Sequence, residues 1–350
     1  MAPGSDTANL SVMGYDPKIY YTGRSPLEAL SIGVDMAADD VSFRCNLVTL
    51  TEDGGAYEDQ KIIDHSSSEI STEDSTVLLE ALKEGLKREG YEFYAGTSYR
   101  HLLIWKHGKV LELTAPHDIL TKTVGEYLPK DLVLLDMMKK SYEILKDHPI
   151  NVERKKQGLN PAKFCNGSGV QVPDRHLHHL KKRPAKKGVM ISAVDLLKGI
   201  AVGADMDRII VEGANGGLHT NYEGKADAAI HALLEDGYDF AYVHVEAPDE
   251  MGHMGSVTDK ITAIENVDGR VVARITEAMD RSGEDYRLMI LPDHPTPICV
   301  RTHTSEPVPY MIYDSRKAID GIHTYNEKEA AKSTCIWKDG YRLIDHLLEC

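Results

Sequence analysis

The segment 247–255 carries a carboxylate and an imidazole at a spacing suited to metal binding. Asp249 and His253 are four residues apart and follow directly on the apolar run 240–245. A loop or a first helical turn at this point allows both side chains to converge on one cation. A helix-capping carboxylate next to a surface histidine has the same spacing, so this segment alone leaves both interpretations open.

A second carboxylate–imidazole pair, Asp293 and His294, follows the apolar run 287–291. Adjacent residues on a strand point to opposite faces, but Pro292 and Pro295 bend the chain here, so both side chains can turn into one crevice. They could bind one ion together, or one each of two neighbouring ions. A loop Asp-His pair without a role is the alternative.

His303 lies nine residues after His294 and precedes the apolar run 308–313. Considered alone, it is most simply an ordinary histidine in a loop. Together, however, three histidines and two aspartates stand at strand ends of one predicted sheet, and these ligands suit Mn²⁺, Zn²⁺ or Mg²⁺. Two such ions about 4 Å apart would hold the entering and leaving oxygens of phosphoryl transfer.

Ser5 is the candidate nucleophile. The segment 4–10, GSDTANL, predicts a helix N-terminus at which the Ser5 hydroxyl lies where backbone N–H groups and the helix dipole favour an anion. Beside two metal ions, such a hydroxyl can lose its proton and attack phosphorus. A helix N-cap is the other common role of serine at this position.

The elements that must position these residues follow from hydrophobic periodicity. Short runs that are apolar on both faces predict buried parallel strands. They lie at 189–194, 208–211, 240–245, 287–291 and 308–313. Helical patterns lie between them at 221–234 and 258–279, the second with a stripe expected to face the core. The stripe consists of Ile261, Ile264, Val267, Val271, Ile275 and Met279. Alternating strands and helices predict a doubly wound, mainly parallel α/β sheet, with ligands beyond the strands' carboxyl ends.

The region 39–160 has a different pattern, which predicts a smaller α+β insert. Its strand candidates are 42–50, 91–99, 101–108 and 109–115. Its helix candidates are 75–89 and 130–146. The dipeptide His107-Gly108 predicts a hairpin between the last two strands.

Composition excludes several classes of protein. The chain has 350 residues with 40 Lys and Arg against 55 Asp and Glu, a net charge of −15. That balance disfavours nucleic acid and anionic membranes as partners, and the basic stretch 176–187 is most simply a solvated segment. No apolar run approaches the roughly 18 residues of a membrane span. Five scattered cysteines without a CxxC motif suit a reducing cytoplasm.

The segments that carry these residues resemble the archaeal-type, cofactor-independent phosphoglycerate mutase family of the alkaline phosphatase superfamily. The resemblance runs in order along essentially the whole chain. It includes PGSDTANLSVMGYDPKIYYTGRSPLEA, DDVSFRCNLVTL, GTSYRHLL, APHDI, MISAVDLLKGIA, TNYEGKADAA, HVEAPDEMGH, AIENVDGRV and LPDHPTPICVRTHTSEPVPYMIYD. It implies a fold of alkaline-phosphatase type, in which 1–38 and 161–350 form the metal-binding core and 39–160 the inserted substrate domain.

The resemblance also implies the activity. The family interconverts 3-phosphoglycerate and 2-phosphoglycerate in glycolysis and gluconeogenesis, with two divalent ions, usually manganese, and without 2,3-bisphosphoglycerate. Ser5 matches its nucleophile and would become a phosphoserine. Asp249, His253 and His303 match the ligands of one ion. Asp293, His294 and the Ser5 oxygen match those of the other.

Substrate-binding residues are implied less specifically. In the insert the candidates are Arg44, Arg100, His101, His117 and Asp118, of which the last three are candidates for the proton shuttle. Arg44 and Arg100 could equally be structural. In the core, Lys198 could reach the phosphoryl oxygens. The partner is then a small phosphorylated substrate, and the sequence specifies no oligomeric state.

One departure from the family concerns its first βα unit, whose strand ends in an Asp-Gly pair that supplies a metal ligand. The present sequence begins at the PGSD segment instead. We expect residues 1–350 alone to be poorly stable and weakly active.

The sequence is compatible with two other functions. A metal-dependent phosphatase or phosphotransferase of the same superfamily would share Ser5 and the metal ligands, but would not need an Arg/His site for a retained glycerate. A non-enzymatic module would bind metal without turnover. A P-loop kinase is excluded, because the sequence has no GxxxxGK[ST] motif.

Overall fold

The computed structural model describes residues 4–21, 23–34, 36–37, 39–51, 55–111, 113–114, 116–168, 187–317, 319 and 324–348. The side chains of 117, 118 and 164–168 are outside this description. The predicted basic stretch 176–187 therefore lies outside the described residues, apart from Lys187.

The strands of the structure are β1 (Val41–Leu50), β2 (Ile62–Asp64), β3 (Tyr91–Ala95), β4 (Arg100–Trp105), β5 (Phe164–Ser168), β6 (Gly188–Ile191), β7 (Asp207–Ile209), β8 (Phe240–Val243), β9 (Arg287–Ile290) and β10 (Met311–Asp314). The helices are α1 (Ser5–Val12), α2 (Pro17–Tyr20), α3 (Arg24–Ser31), α4 (Thr72–Gly85), α5 (Leu132–Leu145), α6 (Pro149–Lys156), α7 (Asp195–Gly203), α8 (Tyr222–Leu234), α9 (Ala247–Met254), α10 (Val257–Asn266), α11 (Ala273–Ser282), α12 (Glu327–Ala330) and α13 (Leu343–Leu348).

The chain divides into two compact units. One consists of Met1–Tyr21 and His176–Cys350, and the other of Thr22–Arg175. Helix α3 and strand β5, which the sequence assigns to the metal-binding core, lie in the second unit, because α3 contacts β1 and β4 while β5 pairs with β1.

The first unit contains a parallel sheet in the order β7-β6-β8. All four residues of β6 are buried. Ile191 at its carboxyl end belongs to a buried cluster with Tyr222 and Ala226 of α8 and Met251 of α9. The predicted parallel α/β arrangement is confirmed for these three strands. Helix α8 begins where the sequence predicts, because the Asn221 side chain accepts a hydrogen bond from the Gly224 N–H.

The prediction of further parallel strands at 287–291 and 308–313 is wrong for this pair. β9 and β10 pair antiparallel with each other, from Met311 opposite Ile290 to Asp314 opposite Arg287. A parallel return needs a crossover, usually through a helix, and the connection 291–310 contains no helix. The chain therefore doubles back on β9.

The predicted core-facing stripe of 258–279 is only partly buried. Val271, Ile275 and Met279 are buried, but Ile261 and Ile264 are 52% and 51% exposed. The reason is a π-helical segment, Val267–Val272, between α10 and α11. Its extra residue per turn shifts the phase of the helix, so one stripe cannot face the core along the whole length.

The second unit is built on an antiparallel sheet of five strands in the order β2-β1-β4-β3, with β5 also on β1. The predicted hairpin at His107-Gly108 is wrong: among the described residues between 109 and 114 none is in a strand. Both edges of β4 are already occupied, by β1 and β3. Leu111 and Leu113 pack instead against the core formed by Phe43 and its neighbours.

No described helix combines the length and the apolar character needed to cross a bilayer. Cys45 of β1 is disulfide-bonded. The interpretation of all the cysteines as reduced therefore does not hold for Cys45.

Candidate active site

Asp249 and His253 lie on α9, which begins four residues after β8 ends. Pro248 occupies the first turn, where its missing N–H costs no helical hydrogen bond. Residues four apart on a helix lie on the same face. Asp249 Oδ2 is accordingly 3.3 Å from His253 Nε2.

His303 joins this pair from the loop after β9. Its Nε2 is 3.1 Å from His253 Nε2 and 3.5 Å from Asp249 Oδ1. Ligand atoms at 2.1 Å from one ion are about 3.0–3.4 Å apart at neighbouring corners of an octahedron or tetrahedron. The three side chains therefore have the chemistry and the spacing of a divalent-metal site.

Ser5, Asp293 and His294 form a second group of the same kind. Ser5, the first residue of α1, has its Oγ 3.0 Å from His294 Nε2. The same Nε2 is 3.5 Å from Asp293 Oδ2. One hydroxyl, one carboxylate and one imidazole thus lie close together, and these are the residues that the resemblance assigns to the second ion.

The two groups adjoin each other. The ring centroids of His294 and His303 are 3.8 Å apart, and His294 Nδ1 is 3.9 Å from Asp249 Oδ1. All six predicted metal-site side chains are therefore close together within one unit. This spacing suits a pair of cations rather than a single one.

Thr296 connects the two groups, and sequence reasoning missed it. Its hydroxyl donates a hydrogen bond to Asp249 Oδ1 and lies 3.3 Å from His294 Nδ1. The side chain is buried, with 5% exposure. A threonine two residues after the Asp-His pair carries no signal by type, and only its place in the same loop could have drawn attention to it.

A hydrogen bond on the nitrogen away from the site fixes the orientation of the His253 ring. The carbonyl of Arg301 lies 3.0 Å from His253 Nδ1, and since a carbonyl only accepts, Nδ1 carries the proton. Nε2 is then the atom left with a lone pair for a metal. Arg301, whose carbonyl accepts this bond, has a left-handed backbone conformation with φ 57°.

A second position missed by sequence reasoning is Asn9, one turn after Ser5 on α1. It is completely buried. Its amide contacts the Ser5 carbonyl and the Asp293 carboxylate, and the Tyr242 hydroxyl of β8 contacts its oxygen. The sequence around Asn9 predicts a helix but not this hydrogen-bond network.

Lys198 lies on α7 and forms an ion pair of 3.0 Å with Asp195. It lines a cavity of about 50 Å³ together with Ser192 and Lys225. Lys225 is buried and donates to the His244 carbonyl at 3.0 Å. Burial lowers the pKa of Lys225 to about 8.

In the second unit, Arg44 of β1 and Arg100 of β4 lie on the same face of the sheet. Asn46 is paired opposite Arg100, and Arg44 is two residues from Asn46 on the same strand, so it points to the same side. Glu28 of α3 lies 3.8 Å from Arg44 Nε. Burial lowers the pKa of Arg44, and the Glu28 charge partly offsets that effect.

His101 faces the opposite side of this sheet, opposite Cys45 in the register. It is buried, and its Nδ1 accepts from the Gly96 N–H at 3.3 Å. Burial, with a smaller contribution from the Lys83 charge, lowers its pKa to about 4. His117 and Asp118 lie in the 3₁₀ turn Pro116–Ile119, and their side chains lie outside the described part of the structure.

Comparisons with known proteins agree on one family. The family model described as 2,3-bisphosphoglycerate-independent phosphoglycerate mutase matches residues 1–151. A protein of that name from Methanosarcina barkeri is 47% identical over 342 residues, which are 95% of this chain and 82% of the relative. A probable mutase of the same kind from Geobacter sulfurreducens is 41% identical, over 99% of this chain and 86% of the relative.

Solved structures are similar along the same length. The PH0037 protein from Pyrococcus horikoshii aligns with a TM-score of 0.73 and 28% identity, over 99% of this chain and 83% of that chain. A cofactor-independent phosphoglycerate mutase from Thermoplasma acidophilum aligns with a TM-score of 0.58 at 23% identity, over 99% and 86% of the two chains. The second likeness concerns the fold alone.

Proposed function

The chain belongs to the family of 2,3-bisphosphoglycerate-independent phosphoglycerate mutases, and from this premise we propose that it works through a phosphoserine at Ser5. Its function is that of the family, the isomerisation of 3-phosphoglycerate and 2-phosphoglycerate, without 2,3-bisphosphoglycerate. This reaction is a step of glycolysis and gluconeogenesis, and the substrate is a small molecule. We also propose a cytoplasmic location and an alkaline-phosphatase type of fold for the first unit.

The observation that carries the proposal is the position of Ser5. Ser5 is the first residue of α1, where backbone N–H groups favour an anion, and its Oγ is 3.0 Å from His294 Nε2. A serine placed only as an N-cap needs no imidazole partner. The combination suits a hydroxyl that is deprotonated and attacks phosphorus.

The proposed metal ligands are the two groups described above. Asp249, His253 and His303 would hold one divalent ion, and Ser5, Asp293 and His294 the other. Manganese is the ion we propose first, with magnesium and zinc as alternatives. When bound, such a pair supplies the positive charge that phosphoryl transfer requires and that this acidic chain otherwise lacks.

The proposed reaction has two half-reactions on this chain's own residues. Ser5 Oγ gives up its proton and bonds to phosphorus, while the bond from phosphorus to the 3-oxygen of glycerate breaks and that oxygen takes up a proton. Glycerate then reorients, and its 2-hydroxyl loses a proton and bonds to phosphorus, while the bond from phosphorus to Ser5 Oγ breaks and Oγ takes up a proton again. The proposed candidates for moving this proton are His117 and Asp118. His101, the third candidate from the sequence, is buried on the face of the sheet opposite Arg44 and Arg100, which does not suit this role.

Binding of glycerate between the half-reactions is assigned to the insert, proposed as residues 39–160. Arg44 and Arg100 share one face of its sheet and would hold the carboxylate, which suits paired guanidinium groups. Lys198 of the core, proposed as 1–38 and 161–350, would bind phosphoryl oxygens. Retention of glycerate is what separates a mutase from a phosphatase, which would release phosphate to water.

The test compares the wild-type chain with Ser5→Ala. With manganese and 3-phosphoglycerate, the wild-type chain should gain 80 Da on Ser5 during turnover, measured by intact-protein mass spectrometry after acid quenching. Ser5→Ala should show neither the added mass nor product, while it still binds metal. Ser11→Ala on the same helix is the matched control. Turnover in Ser5→Ala would exclude the phosphoserine mechanism.

A further inference from the structure

We propose that Asn9 is a positioning residue that assembles one of the two metal sites, by tying the Asp293 carboxylate to the helix that carries Ser5. This inference rests on the two-metal function proposed above. It concerns a residue that would not itself bind metal or substrate.

The side-chain amide of Asn9 uses all its hydrogen atoms. Nδ2 donates to the carbonyl of Ser5 and to Asp293 Oδ2, both at 2.8 Å. An amide nitrogen has two N–H groups, so these bonds use both. The first closes the opening turn of α1, and the second joins that turn to the loop after β9. Ser5 and Asp293 are thereby held by one planar group.

The orientation of this amide is fixed from a third element. The Tyr242 hydroxyl of β8 donates to Asn9 Oδ1 at 2.6 Å. Burial raises the pKa of Tyr242 far above its usual range, so the phenol stays protonated and remains a donor. A flipped amide would place its N–H groups against that donor and its oxygen against a carboxylate. Because Asn9 is completely buried, water could not compensate for either loss.

A neutral donor is the right chemistry for this position. Asp293 Oδ1 accepts from the backbone N–H of His294 at 3.0 Å, and Oδ2 accepts from Asn9. A carboxylate has about four acceptor positions, so lone pairs remain available for a cation. A lysine or arginine here would also orient the carboxylate but would repel the cation. An amide fixes the carboxylate and leaves its charge to the metal.

The prediction is a selective loss of one metal. Asn9→Leu keeps a similar volume and a good helix former but removes all three hydrogen bonds. Isothermal titration of the full chain with Mn²⁺ alone should give two binding events for the wild type. In Asn9→Leu, the event assigned to Ser5, Asp293 and His294 should weaken about 10- to 100-fold, as loss of an outer-shell partner does. Binding of the ion held by Asp249, His253 and His303 should not change. The His253→Ala variant shows which of the two binding events belongs to that ion, because it should weaken that event.

Tyr242→Phe provides a milder test in case Asn9→Leu does not fold. It removes only the donor that orients the amide and should weaken the same event about fivefold, the effect of one hydrogen bond. Its matched control is Tyr238→Phe, which removes an exposed hydroxyl bonded to Asp207 at 2.8 Å and should bind both ions like the wild type.

Three outcomes would overturn the inference. A folded Asn9→Leu chain that binds both ions like the wild type would do so. Tyr242→Phe binding that equals that of Tyr238→Phe would do so as well. A wild-type chain that binds fewer than two manganese ions would overturn the two-metal proposal, and this inference with it.

Discussion

At the scale of single residues, the two proposed metal sites meet at the hydroxyl of Thr296. The hydroxyl donates to Asp249 Oδ1, and since it has one hydrogen, His294 Nδ1 must be the donor in its 3.3 Å contact with the hydroxyl oxygen. That assignment leaves His294 Nε2 with the lone pair that faces Ser5. One small side chain thus sets the tautomer of one ligand and the orientation of another.

Thr296→Val should therefore weaken both metal-binding events, by about 10-fold or more, because it removes the hydroxyl but keeps the shape. Thr296→Ser keeps the hydroxyl and should bind both ions nearly as the wild type does. Titration with Mn²⁺ measures the effect. If the valine and serine variants bind alike, the hydroxyl does not orient these ligands.

His101 should make the stability of the protein depend on pH. Its pKa is lowered to about 4 in the folded chain, against about 6.5 when unfolded, so the unfolded state binds the extra proton between these values. The free energy of unfolding is therefore highest above pH 6.5 and decreases as the pH falls towards 4. Between pH 7 and pH 5 the loss is about 2 kcal/mol.

Urea unfolding of the wild type and His101→Gln at both pH values checks this. The stability difference between pH 7 and pH 5 should be smaller in the variant by about that amount. His107→Gln is the matched comparison. The hydrogen bond to Asp39 raises the pKa of this exposed histidine, so its removal should make the stability difference between pH 7 and pH 5 larger rather than smaller. An unchanged difference in His101→Gln would mean that His101 is not held neutral by burial.

At the scale of elements, the site is built from the ends of secondary structures. α1 presents Ser5, α9 presents Asp249 and His253, and the long connection after β9 presents the other ligands. Helix α8 supports this arrangement from within the core: Tyr222 and Ala226 pack with Met251 of α9. A helix that frays here would loosen the packing behind Asp249.

The N-cap of α8 gives a test at this scale. Asn221 accepts from the Gly224 N–H and donates to the Glu212 carbonyl, both at 2.8 Å. Asn221→Ala should lower the free energy of unfolding by about 1–2 kcal/mol. Asn326→Ala, at the cap of the four-residue helix α12, should have an effect within about 0.5 kcal/mol. Equal losses in thermal or urea unfolding would contradict this ranking.

The same scale shows what the sequence could and could not predict. Strands and helices with clear periodicity were predictable, and so was the convergence of Asp249, His253 and His303, because all three follow the ends of predicted strands. The single sheet assumed for those strands is not what the structure has, since β8 pairs with β6 whereas β9 pairs with β10. Hydrophobic periodicity does not specify which strands pair. It therefore could not predict that β10 pairs antiparallel with β9, or that β1 and β3 occupy both edges of β4. Asn9 and Thr296 were missed because a buried polar side chain in an apolar context has no signature of its own.

At the scale of the whole molecule, the proposed reaction uses residues of both units. The first contains the nucleophile and both ligand groups. The second contains the Arg44 and Arg100 face, for which we propose glycerate binding. If that division is right, damage to the second unit should leave phosphoryl transfer to Ser5 possible but release glycerate.

Arg100→Ala tests the division. We expect isomer formation to fall by about 10- to 100-fold, since a charged contact to the carboxylate is lost, while inorganic phosphate rises as a fraction of product. Arg88→Ala, in the same unit, is the control and should keep the product ratio. Product analysis by ³¹P NMR gives both quantities. A proportional loss of both products would assign Arg100 a structural role instead.

The most direct test of the central claim is a ³¹P NMR time course of the wild-type chain with Mn²⁺ and 3-phosphoglycerate, run beside Ser5→Ala. We predict a growing 2-phosphoglycerate resonance in the wild type and none in the variant. Inorganic phosphate as the sole product of the wild type, or the same 2-phosphoglycerate signal in both chains, would contradict isomerisation through a phosphoserine at Ser5.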